Sequence, residues 1–247
     1  MLKKRSAFRN RKNRNKCFLF LLLSSLFVSC TESDDSSQFQ HFKKKEKITV
    51  VIIGSSIASG QGASNYSNSW AGLLEAESND SIINNAKGGY LTLHFLPETI
   101  PNKLGIETDE KRNITASLKL NPNLIIFSLT TNDIANGYTV DQYISNMKIM
   151  TDLCENNNVS FLIGSTSPRL LDMKKNKALI EVNTMLEAAY GDRFVNYYNE
   201  LTDPETYKIK SIYDAGDALH PNDAGHKVIF NDFLPVYLKV KSKILEN

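Results

Sequence analysis

Five short apolar runs set the frame of this chain. They are Ile48–Gly54 (ITVVIIG), Ile82–Ala86 (IINNA), Leu124–Leu129 (LIIFSL), Val159–Gly164 (VSFLIG) and Phe194–Tyr198 (FVNYY). Each is dominated by β-branched, aliphatic or aromatic residues, and most lack the polar alternation of a strand with one wet face. Such runs suit strands covered on both sides. Between them lie segments with helical spacing. Ser69–Glu77 sets Trp70, Leu73 and Leu74 on one face, and Val140–Glu155 sets Tyr143, Met147, Met150 and Leu153 on one face. Lys177–Tyr190 and Asn222–Leu245 repeat the pattern. Strands alternating with helices predict an α/β domain, a mostly parallel five-stranded sheet between two helical layers. No repeat or break divides the region, so one domain is expected over residues 48–247.

The first 47 residues read differently. Residues 1–16 carry eight basic side chains and no acid, and residues 18–29 form a 12-residue apolar and small run ending at Cys30. A membrane-spanning helix needs about 20 apolar residues. A basic segment followed by a short apolar run is the pattern of a secretory signal. With Ser29 before Cys30 it resembles a bacterial lipoprotein signal, cleaved after residue 29 with lipid added at Cys30. The alternatives are a plain signal peptide or a short N-terminal anchor. Residues 30–47 have the polar, charge-blocked composition of a flexible tether. Glu32-Ser33-Asp34-Asp35 resembles a surface-export signal, and reads equally as a solvated linker. These features predict a lipid-anchored protein of the bacterial cell envelope, at the outer membrane or cell surface.

Cleavage there removes eight of the 29 basic residues and none of the 27 acids, leaving a net charge of −6. That balance gives no support to nucleic-acid binding. Of three cysteines, Cys17 leaves with the signal, Cys30 takes lipid and Cys154 remains alone, so no internal disulfide is possible. The fold must rest on its core, which a domain of about 200 residues can supply.

Ligands of open parallel sheets sit at the carboxyl ends of strands. Four clusters fall there. Gly54-Ser55-Ser56-Ile57-Ala58-Ser59-Gly60 follows the first run; it fits neither phosphate-binding glycine pattern and by itself is equally a serine-rich turn. Asn84–Gly89 closes the second run, and its Gly-Gly pair can aim an N–H outward. Thr130-Thr131-Asn132-Asp133 closes the third, with the Asn132 amide available to the cleft and Asp133 placed to cap the next turn. Asp217-Ala218-Leu219-His220-Pro221 enters the last helix, and three-residue spacing lets one tight turn bring the Asp217 carboxylate to the imidazole. A metal site at His220, His226 and Asp217 or Asp223 matches no known ligand spacing. His226 is expected on the helix surface.

The order Ser56, Gly89, Asn132, Asp217-x-x-His220 resembles the SGNH hydrolases, also called the GDSL esterase family, from Ile48 to Leu245. The resemblance implies a flavodoxin-like α/β/α sandwich and a serine esterase that needs no metal or organic cofactor. Ser56 would attack, His220 would act as base and Asp217 would orient it. The Ser56 and Gly89 N–H groups and the Asn132 side chain would form the oxyanion hole. Two positions depart from the family: Ser55 stands for the aspartate of the name-giving block, and Thr130 for a glycine of the third.

The substrate is less constrained. An enzyme outside the cytoplasm meets glycans and lipids, which favours a short acyl ester, acetyl above all, on carbohydrate. A lysophospholipase or generic carboxylesterase is the enzymatic alternative, and a glycan-binding lipoprotein with a relic site is the alternative from another class. Tyr66, Trp70, Tyr90, His94, Phe95, Tyr207 and Tyr213 lie near the clusters and are either sugar platforms or core. Arg169, in Ser167-Pro168-Arg169, is placed to meet an anionic group or to form a surface salt bridge. Tyr90 and Arg169 are therefore the candidate substrate contacts of a monomeric enzyme.

Overall fold

The computed structural model describes residues 47–100 and 105–246. The signal segment, Cys30 and all of the tether but Lys47 lie outside the described residues. In chain order the elements are β1 (Thr49–Gly54), α1 (Trp70–Ser78), β2 (Ser81–Asn84), α2 (Ile114–Leu118), β3 (Leu124–Ser128), α3 (Asn132–Ala135), α4 (Val140–Asn156), β4 (Ser160–Gly164), α5 (Met173–Tyr190), β5 (Phe194–Val195), α6 (Tyr198–Leu201) and α7 (Asp223–Glu246). Short 3-10 turns at Tyr66–Asn68, Thr92–Phe95 and Gly191–Arg193 fill the connections.

The five strands form one parallel sheet in the order β2-β1-β3-β4-β5. Successive side chains of a strand point to opposite faces. Val51, Ile53, Ile125, Phe127, Phe161 and Ile163 therefore meet α4 and α5 through Tyr143, Met147, Met150, Leu179 and Val182. Val50, Ile52, Leu124, Ile126 and Leu162 face the other way, onto Trp70 and Leu74 of α1 and Ile229, Phe233 and Tyr237 of α7. This is the three-layer sandwich expected from the alternating runs. Trp70 and Phe233 stack with ring centroids 4.8 Å apart, joining α1 to α7.

The ends of the elements follow from local chemistry. Ser69 and Asp172 cap α1 and α5 by accepting from Gly72 and Lys175 N–H groups. Thr139 and Gln142 form a reciprocal capping box at α4. The fifth run is shorter as a strand than its composition predicts. Only Phe194 and Val195 pair with β4, because Tyr197 turns its hydroxyl onto Ser165 O at 2.8 Å and the chain enters α6. The long apolar stretch has spent its aromatic residues on the core rather than on the sheet.

Behind the sheet, Asp80 receives Lys241 Nζ at 2.7 Å on both carboxylate oxygens, Ile48 N–H at 3.0 Å and the Tyr237 hydroxyl. This buried ion pair pins the end of α7 to the starts of β1 and β2.

Candidate active site

Ser56 sits at the carboxyl end of β1, the position where the next residues must turn back under the sheet edge. The turn is held by main-chain bonds from Ser59 N–H to Ser55 O at 3.0 Å and from Gln61 N–H to Ser56 O at 2.9 Å. Asn84 of β2 donates to Ala58 O at 2.8 Å and so ties this turn to the neighbouring strand. Gly62 completes it at φ +95°; a Cβ there would lie 2.3 Å from Pro221 O and 2.8 Å from His220 Cβ. Only glycine lets the serine turn pack this closely against the histidine loop.

His220 approaches from the loop before α7. Its Nε2 lies 3.0 Å from Ser56 Oγ, and its Nδ1 lies 2.5 Å from Asp217 Oδ2. Asp217 Oδ1 also accepts from the main-chain N–H of His220 at 2.8 Å and of Leu219 at 3.0 Å. Burial pushes the Asp217 pKa up, but the His220 and Leu219 contacts outweigh it and hold the carboxyl below its ordinary value. An ionised carboxylate only accepts hydrogen bonds, so Nδ1 carries the proton and a neutral His220 offers the Nε2 lone pair to the Ser56 hydroxyl. Ser56 and His220 are 7% and 6% exposed, which keeps most water from competing for that contact.

One organiser of this loop escaped the sequence reading. Asp214 accepts from Gly216 N–H at 2.9 Å and Ala218 N–H at 3.0 Å. It holds Ala218 at φ +55°, a left-handed conformation that costs a residue with Cβ about 1–2 kcal/mol. An aspartate two residues before a glycine is the only sequence signal for such a turn.

The oxyanion candidates converge from two other strand ends. Asn132 opens α3, immediately beyond β3. Its Nδ2 donates to Tyr90 O at 2.9 Å, leaving its second amide hydrogen uncommitted. The carboxamide orientation thus comes from the chain after Gly89, and Thr130 in place of glycine does not prevent it. Neither the Ser56 nor the Gly89 N–H donates to another group among the described residues. Asp133 does not cap the turn of α3, contrary to expectation. Its carboxylate crosses to Thr92, accepting from the N–H at 3.1 Å and from the hydroxyl. Asn132–Tyr90 and Asp133–Thr92 together clamp the second and third clusters to each other. Burial raises the Asp133 pKa to about 6, against the lowering effect of the Thr92 bonds.

Several other expectations change. His226 is fully buried rather than on the helix surface. Its Nδ1 accepts from Trp70 N–H at 3.3 Å and its Nε2 donates to Gln61 O at 3.1 Å, which locks the serine turn to α1 and α7. Desolvation lowers its pKa to about 4, so it is neutral at ordinary pH and has no lone pair to spare for a metal. Trp70 and Phe95 are core. The Tyr90 ring stacks on His94 at 4.2 Å, lies 4.8 Å from Lys87 Nζ and donates its hydroxyl to Asp109 at 2.7 Å. That ring is engaged by the protein itself, and the Tyr90 carbonyl is what serves the site. Arg169 does reach the site: its Nη1 donates to Thr131 Oγ1 at 3.2 Å and lies 3.5 Å from Asn132 Oδ1. Ser55 is buried beside Ser56, its N–H bonded to Ser128 O at 3.2 Å.

The sequence model of the GDSL-like lipase/acylhydrolase family matches residues 52–228. A GDSL-like lipase from Bacteroides thetaiotaomicron has a similar structure, with a TM-score of 0.59 and 19% identity over 83% of this chain and 93% of that one. A psychrotrophic esterase from Pseudoalteromonas sp., in a structure inhibited by monoethylphosphonate, gives 0.60 and 17% over 81% of this chain and 100% of that one. A two-domain esterase active on acetylated mannans gives 0.57 and 15% over 81% of this chain and 51% of that one. At such identities the structural likeness shows the fold alone. A comparison with curated proteins found no match. The family match covers most of the chain and all four clusters: the chain belongs to the GDSL-like lipase/acylhydrolase family, the SGNH hydrolases, and is a hydrolase of ester bonds.

Proposed function

We propose that the protein is a serine esterase that works through an acyl-enzyme and removes short acyl groups, acetyl foremost, from carbohydrate. The observation that carries this reading is the unbroken line from Asp217 through His220 to Ser56, with contacts of 2.5 and 3.0 Å. His220 takes the Ser56 proton as Oγ attacks the ester carbonyl. Negative charge then builds on the carbonyl oxygen, where the Ser56 and Gly89 N–H groups and the free Asn132 amide hydrogen receive it. The imidazolium formed faces the ionised Asp217. It returns the proton to the leaving alcohol, and water repeats the sequence to release the acid.

An intact relay weighs against a purely glycan-binding role. The activity of the mannan esterase on acetylated polymer supports carbohydrate as the alcohol part. A lysophospholipase reading draws on Leu170, which is 58% exposed and whose N–H donates to Ala218 O at 2.9 Å, beside the Asp217–His220 turn. An apolar side chain there suits a longer acyl group. Turnover of p-nitrophenyl esters from C2 to C12, beside a panel of acetylated sugars, separates these. Preference for C2 with release of acetate from sugars supports the proposal; a rise toward C8–C12 with no acetate release refutes the carbohydrate part. Export and lipid attachment at Cys30 belong to the same proposal. Loss of fatty-acid labelling in Cys30→Ser supports them, and unlabelled wild type refutes them.

A further inference from the structure

We infer that Arg169 makes this site selective for acyl esters on acidic sugars, by binding a carboxylate carried on the same sugar. The inference rests on the esterase reading above and narrows its substrate class.

The segment after β4 stands between the two halves of the site. Arg169 touches Thr131 and Asn132 on the oxyanion side, while its neighbour Leu170 is bonded to Ala218, between Asp217 and His220. The guanidinium is therefore held beside Asn132, on the oxyanion side of the site. It is half-buried, yet no carboxylate comes within 4 Å of it among the described residues. Desolvation pulls its pKa down and the Asp217 charge partly restores it. Asp217 itself is turned to the His220 ring and two main-chain N–H groups.

Nη1 makes the contacts to Thr131 and Asn132, and each acceptor is neutral. Nε and Nη2 have no partner among the described residues, although a guanidinium carries five donors. Orienting the Asn132 amide requires a donor, not a full positive charge. The guanidinium is half-buried and these donors are not closed off inside the protein, so a carboxylate entering the site can reach them. The planar fork matches a carboxylate in two-point contact.

The test uses a matched pair, an acetylated uronic acid glycoside and its uronamide, which differ only in charge. Wild type should favour the acid by about 10- to 100-fold in kcat/KM, the range of a charge-assisted hydrogen bond, with the difference in KM. Arg169→Gln should bring that ratio to about one, and Arg169→Lys, which keeps charge but loses the fork, should fall between. Added salt should lower the wild-type ratio. A wild-type ratio near one overturns the proposal. So does an Arg169→Gln that slows both substrates equally, since that is the signature of a residue that only positions Asn132. A preference for lysophospholipid over both sugars also overturns it. Turnover of p-nitrophenyl acetate keeps the two levels apart: with turnover and a ratio of one, only the Arg169 proposal fails, whereas without turnover the esterase reading fails first.

Discussion

Replacing Asp217 by asparagine isolates the tautomer of His220 from the shape of its loop. Asparagine keeps an oxygen for the His220 and Leu219 N–H groups, now at 2.8 and 3.0 Å, and Asp214 still holds Gly216 and Ala218. The loop should survive. The second carboxylate oxygen, 2.5 Å from Nδ1, becomes an N–H donor. Nδ1 must then accept, its proton moves to Nε2, and a donor rather than a lone pair faces Ser56 Oγ at 3.0 Å. General base catalysis is worth about 10²- to 10⁴-fold, and the same exchange in Ser-His-Asp triads costs about 10⁴-fold. The Asp217 side chain is 50% exposed, so water softens the effect, and a loss of about 10³-fold is expected. Asp217→Ala leaves Nδ1 to water and permits the working tautomer, so it should lose less, about 10²-fold. The assay is kcat/KM for p-nitrophenyl acetate at pH 8, with circular dichroism to confirm folding. Asp217→Asn within tenfold of wild type, or clearly more active than Asp217→Ala, would refute the tautomer argument.

Other outcomes follow from named contacts. Asn132→Ala should cut kcat by about 10²- to 10³-fold with little change in KM, as expected for a donor that engages the transition state; an equal loss in binding would contradict that role. Lys241→Met leaves the Asp80 charge buried with two hydrogen bonds, which should cost about 3–5 kcal/mol and lower Tm by about 6–20 °C; Asp80→Asn in the same background should recover part of it. His226, at about 4 folded against about 6.5 unfolded, stabilises the protein at neutral pH by about 3 kcal/mol, and that share is lost as pH falls from 6.5 toward 4. Asp133, raised to about 6, acts in the opposite direction: its share is present below about pH 4 and is lost as pH rises through 6. Urea titrations from pH 4 to 7 should therefore show a steeper acid-side rise in Asp133→Asn and a flatter one in His226→Gln.

The layers of the fold were legible because covered strands and amphipathic helices leave different periods in the sequence. The nucleophile and oxyanion candidates were legible because each follows a strand end, and the base because His220 stands three residues after an aspartate at the entry to the last helix. What stayed hidden depends on contacts made across the chain. His226 lies on a helix among polar neighbours, and only the packing of the 56–62 turn against α1 turns it inward. Asp133 looks like a cap by position, but Thr92, 41 residues away, offers it two donors. Tyr90 reads as a sugar platform until His94, Lys87 and Asp109 engage its ring and hydroxyl. Asp214 carries no motif at all, and Asn84 opens the second cluster without announcing its partner; their work is to accept and donate main-chain bonds within the two catalytic turns.

The central claim is that Ser56, activated by His220, attacks the substrate, and a fluorophosphonate probe reads it at one atom. The account predicts a single adduct on Ser56 in the peptide map, absent in Ser56→Ala, formed at least about 10²-fold more slowly in His220→Ala, and retained in Ser55→Ala. An adduct on Ser55, or undiminished labelling in His220→Ala, would contradict it.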